Sequence, residues 1–196
     1  KLYQGWTPLM IAAWEGRLDA VKQRLAKGDA LNNKGPQDET ALMLAAQQGH
    51  FSVTQLLLSK GAKPGQFDVE GMTALMLAAR EGHPETVRLL LEKGAPINTK
   101  NKQGYTALMV ALQAGRSAVA TDLMKGGADI DVAGKDGNTA MSLAVSQRQD
   151  AVVTALLKRG VNLHWRDENG HNLLWLAARF GNTELLKYLL DSQKAN

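Results

Sequence analysis

The 196 residues are 44% hydrophobic, 21% charged and 5% aromatic, a balance that excludes an intrinsically disordered chain and favours many small helix contacts over one core of bulky rings. The net charge of +4 is distributed without a continuous basic stripe, which disfavours nucleic acid as a partner. There is no cysteine, so disulfides and thiolate metal sites are excluded and the redox compartment stays open.

The uncharged stretch at 106–115 falls well short of the ~20 apolar residues of a membrane span, so a soluble chain is expected. The sequence opens on Lys1 rather than methionine, which fits removal of a signal peptide, a tag scar or more protein. Cytoplasmic, periplasmic and secreted locations are all compatible with it.

The first predicted helix starts at Thr7, whose hydroxyl suits the position before a helix because it can accept from an otherwise unpaired backbone N–H. Pro8 follows where proline is tolerated, in the first turn. Gly16, nine residues after Thr7, can take the left-handed conformation that ends a helix. A second helix then runs to Gly28, 21 residues after Thr7. The same punctuation returns at Thr40, Gly49 and Gly61, at Thr73, Gly82 and Gly94, and at Thr106, Gly115 and Gly127. Thr139 and Gly160 continue it, but Arg148 stands where the middle glycine belongs. Asn172 and Gly181 open the last copy. Every step is 33 residues, with no insertion, and self-similarity at such a period marks a repeat architecture. The segments between second helices and the next threonine are rich in glycine, asparagine, proline and lysine and are predicted to be hairpin-like loops.

Around each threonine the phrase Thr7, Pro8, Leu9, Met10, Ile11, Ala12 and Ala13 is repeated, most closely at 40–46, 73–79 and 106–112 and more weakly at 139–145 and 172–178. These residues resemble the ankyrin repeat family, over about 190 residues. The resemblance implies an all-α solenoid of stacked helix-turn-helix units, a single domain 1–196 with repeats near 1–34, 35–67, 68–100, 101–133, 134–166 and 167–196. One departure is the family's histidine, replaced by Met10, Met43, Met76, Met109, Ser142 and Trp175.

No 33-residue unit buries enough apolar surface alone, so stability must come from interfaces between repeats. Ala12, Ala45, Ala78, Ala111, Ala144 and Ala177 share one position, where a small side chain lets helices approach to ~8–10 Å. The column Leu57, Leu90, Leu123, Leu156 and Leu189 has Arg24 at its head, with Gln23 beside it, which predicts an N-terminal cap. The end of repeat 6 is predicted to be less well covered. Arg148 in the left-handed region would be strained by ~1–2 kcal/mol. Pro64, where Ile97, Ile130 and Leu163 stand in other repeats, predicts a loop of different shape.

No constellation for catalysis emerges: there is no phosphate loop, no nucleophile elbow and no paired histidines at metal spacing. His50 and His83 fall after a glycine at the same repeat position and are predicted to be structural. His164, Asp167, Glu168 and His171 form the densest polar cluster, at a spacing that fits no zinc pattern and is expected in a solvated turn. No enzyme, cofactor or metal is therefore expected from the residues.

In relatives of the resembled family, partners are held by loop tips and by the face of the first helices. Carried over by position, that implies tip residues Trp6, Glu39, Met72, Tyr105, Asn138 and His171. The helix face is Trp14, Gln47, Arg80, Gln113, Ser146 and Arg179, with Glu81 beside Arg80. Trp, Tyr and Arg are the residue types most enriched in binding hot spots. The expected partner-binding set is Trp6, Trp14, Gln47, Met72, Arg80, Glu81, Tyr105 and Gln113, on a monomer, against a protein of unnamed identity offering an apolar knob with a modestly acidic rim. Trp6 and Trp14 can also be read as covers for the open end of repeat 1, and Trp175 as packing. The alternative to a non-catalytic scaffold is a targeting or regulatory segment of a larger enzyme or effector.

Overall fold

A computed structural model describes residues 3–194. Among these residues are twelve helices in six antiparallel pairs. They are α1 (Pro8–Trp14) and α2 (Leu18–Ala26), α3 (Ala41–Gln47) and α4 (Phe51–Ser59), and α5 (Ala74–Glu81) and α6 (Pro84–Glu92), followed by α7 (Ala107–Gln113) and α8 (Ser117–Lys125), α9 (Ala140–Ser146) and α10 (Asp150–Lys158), and α11 (Leu173–Phe180) and α12 (Thr183–Lys194). Strand pairing among the described residues is confined to isolated bridges, such as Phe67 with Thr73.

Each first helix starts as its sequence dictates. Thr7, Thr40, Thr73, Thr106, Thr139 and Asn172 hold extended backbone, and each side-chain oxygen accepts from the N–H three residues on. The ends follow the glycines: Gly16, Gly49, Gly82, Gly115 and Gly181 have φ between 70° and 89°. Arg148 takes the same conformation with φ 54° and without glycine's freedom. Asp38 does so with φ 60°, at the loop position where later repeats have Gly71, Gly104, Gly137 and Gly170. The turn at Pro64 and Gly65 falls in the register of the turn at Ile97 and Asn98, while the same positions form a bend at 130–131 and neither turn nor bend at 163–164.

First helices pack on first helices, α1 through α11 in order, more extensively than second helices pack on one another. The reason is the alanine column, 0–2% exposed from Ala12 to Ala177, which leaves no side chain to hold the backbones apart. Met10, Met43, Met76 and Met109 are buried beside it, whereas Trp175, in the same column, is 37% exposed. It packs on the surface rather than among the buried methionines, stacked on His171 at 3.8 Å between centroids. Gln23 is exposed on the N-terminal face; at the other end Tyr188 and Leu190 are 45% and 46% exposed, the incompletely covered face expected for repeat 6.

A side chain from each of repeats 2 to 5 also ties down the repeat before it. His50 Nε2 donates to the Trp14 carbonyl at 2.9 Å, and His83 Nε2 to that of Gln47 at 3.0 Å. Arg116 Nε does the same to Arg80 at 3.0 Å and Gln149 Nε2 to Leu112 at 2.6 Å. These bonds satisfy carbonyls left free at helix C-termini. The loop tips form a second ladder, in which Val69 N–H donates to Gln37, Lys102 to Glu70 and Lys135 to Gln103, at 2.9–3.0 Å.

Candidate functional site

The residue before each helix cap is the one read as a loop tip. In the structure the side chains of Glu39, Met72 and Tyr105 turn in against the stack instead, whereas Trp6, Asn138 and His171 stay partly exposed. Met72 is 6% exposed, Tyr105 2% and Glu39 8%. The expectation that Met72 and Tyr105 are presented at exposed tips is therefore corrected. The physical cause is cover from the following turn: Asn101 Nδ2 donates to the Met72 sulfur at 3.4 Å, and the Tyr105 ring lies against Gly134. Tyr105 is fixed there by its hydroxyl, which donates to Asp136 Oδ2 at 2.6 Å and accepts from Asn138 Nδ2 at 3.2 Å. The outer turns are made by 36–37, 69–70 and their equivalents.

Trp6 belongs to the first repeat among the described residues and is less covered. It is half-buried, with its ring 5.5 Å from that of Trp14 at 60°, the edge-on geometry favoured by aromatic quadrupoles. Its Nε1–H donates to Glu39 Oε1, and Glu39 Oε2 accepts from the Gln37 N–H at 2.7 Å. The equivalent turn of repeat 3 is held by Asp68 Oδ1, which accepts from the N–H groups of Glu70 and Met72 at 2.8 Å. Position 35 in repeat 2 is a glycine, and Glu39 supplies the missing carboxylate from the other side of the turn.

Trp6, Trp14, Gln47, Met72 and Arg80 line one pocket of about 380 Å³, together with Gln37, Glu39, Leu44, Asp68, Glu70 and Leu77. Leu44 and Leu77 stand three residues before Gln47 and Arg80 on their helices, so they share a face with them and form an apolar floor. That signal was present in the helical spacing. Asp68 and Glu70, carried in from a loop, had no such signal. Arg80 Nε bonds Glu81 Oε1 at 3.0 Å, which joins Glu81 to the pocket only through Arg80. Tyr105 and Gln113 are not in the lining, although Gln113 is exposed farther along the same row.

The family description for ankyrin repeats, in three copies, matches residues 1–68, 63–134 and 119–196. The chain belongs to the ankyrin repeat family. Ankyrin repeats are in general protein-interaction modules and are typically non-catalytic. A search of curated proteins finds no match to this chain. In this ankyrin-repeat chain, His164, Asp167, Glu168 and His171 do not converge. His171 Nδ1 pairs with Asp167 Oδ2 at 2.7 Å, and no three His, Asp or Glu side chains among the described residues are grouped to hold a metal ion. No helix among them is long and apolar enough to cross a membrane.

Proposed function

We propose that this ankyrin-repeat chain is a non-catalytic scaffold that binds a protein partner on its first-helix face, the concave side of the stack, with the densest contacts at repeats 1–3. The observation that carries this reading is the convergence of Trp6 and Trp14 with Gln47 and Arg80 around the Leu44 and Leu77 floor. Partly exposed tryptophans over an apolar floor combine the residue type and the desolvated setting of binding hot spots. Gln113 continues the row toward repeat 4 and Glu81 orients Arg80. Met72 and Tyr105 contribute from beneath, by supporting the floor and the neighbouring loop. With repeats ~10 Å apart the row from Trp14 to Arg179 is about 50 Å long, enough for a full-sized interface.

The test begins with a partner recovered on the intact chain and titrated calorimetrically. Trp14→Ala and Arg80→Ala are each expected to weaken binding by ~1–3 kcal/mol, and Ser146→Ala, on the same row, to change it little. Thermal melts of the variants check that folding is retained. Full-strength binding by a folded Trp14→Ala, Arg80→Ala double variant would move the interface off this face.

A further inference from the structure

The walls of the Trp6 and Trp14 pocket carry a charge opposite to that of the chain. Glu39, Asp68 and Glu70 all line it, and the one cation among its lining residues, Arg80, is already held by Glu81. Both oxygens of Glu39 are engaged, by Trp6 and by the Gln37 N–H. Asp68 uses only Oδ1, for two backbone N–H groups, so its Oδ2 and the whole Glu70 carboxylate have no partner among the described residues. Neither carboxylate is in an ion pair. A modestly acidic partner rim, the expectation from the sequence, would meet like charge here.

Resting on the scaffold reading above, we infer that this pocket receives a lysine or arginine side chain from a segment of the partner protein. Each part of such a side chain has a counterpart. The aliphatic stem lies on Leu44, Leu77 and the edge of Met72, as long basic side chains do on apolar surface. The cationic head reaches the faces of Trp6 and Trp14, which attract a cation through their negative π-faces. Its N–H groups then find the unused Asp68 and Glu70 oxygens, where charge-assisted bonds form. The bond from Trp6 Nε1 to Glu39 holds the ring in place before the ligand arrives, so less ordering is required on binding.

The intact chain is titrated with blocked alanine pentapeptides whose central residue is arginine, lysine, norleucine or glutamate, at up to millimolar concentration. Indole N–H resonances of Trp6 and Trp14 are followed by NMR. The arginine and lysine peptides are expected to shift both indoles, to bind about tenfold more tightly than the norleucine peptide, and to weaken as salt is raised. The Asp68→Asn, Glu70→Gln double variant should lose this preference for charge while its indoles still respond to norleucine. Equal binding of norleucine or glutamate, or silent indoles with every peptide, overturns the inference. A recovered partner whose binding needs Trp14 but ignores salt and the double variant would leave the scaffold reading standing and remove this one. A partner indifferent to Trp14 would remove both.

Discussion

His50, the first residue after Gly49, places its ring over Gly16 of the preceding repeat and donates from Nε2 to the carbonyl of Trp14. A Cβ on Gly16 would lie 2.6 Å from that ring, so the glycine is needed for space as well as for its φ of 70°. One histidine thus closes the end of α1, joins two repeats and fixes the backbone that carries Trp14.

Removing it should expose that coupling. His50→Ala leaves the Trp14 carbonyl without its donor and opens space over Gly16, and it is expected to cost about 1–3 kcal/mol of stability. His50→Gln should keep most of it, because Gln149 makes a comparable bond in repeat 5, to the carbonyl of Leu112, one residue before the counterpart of Trp14. Urea midpoints of the two variants decide the matter; equal losses would mean that the ring, rather than the donor, matters.

Repeat 5 has a weak turn. Arg148 holds φ 54° at a helix end where other repeats have glycine, and replacing it should relieve about 1 kcal/mol after the extra chain entropy of glycine is subtracted. Arg148→Gly is expected to raise the unfolding midpoint, and wild-type amides of α9 and α10 to exchange faster than those of α5 to α8. An unchanged midpoint would show that the conformation is unstrained there.

The Thr54 hydroxyl is fully buried without a hydrogen-bond partner, in the column occupied by Val21, Val87, Ala120 and Val153. Thr54→Val keeps the shape and removes the unpaired polar group, so stability should rise by about 1 kcal/mol. A thermal melt that shifts downward would indicate that the hydroxyl is satisfied in solution.

Tyr105 and Asp136 make stability depend on pH at both extremes. Burial, with the hydrogen bond to Asp136, pushes the Tyr105 hydroxyl up to about 12. For Asp136 burial acts upward, but hydrogen bonds from Tyr105 and Asn138 outweigh it and hold the carboxyl below its usual value of 3.8. A raised tyrosine stabilises the fold fully below its unfolded value of 10.0 and loses that contribution as pH rises through about 12. A lowered aspartate contributes above its unfolded value and loses that as pH falls through the folded one. Tyr105→Phe should therefore cost about 1–2 kcal/mol at neutral pH, with the gap to wild type closing below about pH 4 and above about pH 10. A gap independent of pH would place the loss in packing alone.

The helices, their caps and their stacking order were legible in the sequence because they rest on local chemistry repeated at a fixed interval. A threonine oxygen caps the helix it precedes, glycine supplies positive φ, and an alanine column admits a neighbour. Arg148 shows how far this goes, since its left-handed turn followed from register alone. Asp38 obeys the same register, since it stands in the column of Gly71, Gly104, Gly137 and Gly170 and holds their positive φ without being glycine. The site depended on tertiary structure for its polarity and for its membership. Met72 and Tyr105 turn inward because the neighbouring repeat covers them, and Trp175 turns outward where no further repeat among the described residues covers it. Asp68 and Glu70 reach the Trp6 and Trp14 pocket from more than fifty positions away, so a locally acidic site forms on a chain of net charge +4. Charge summed along a sequence carries no direction, and the sign of a surface is decided by which loops the stacking brings side by side.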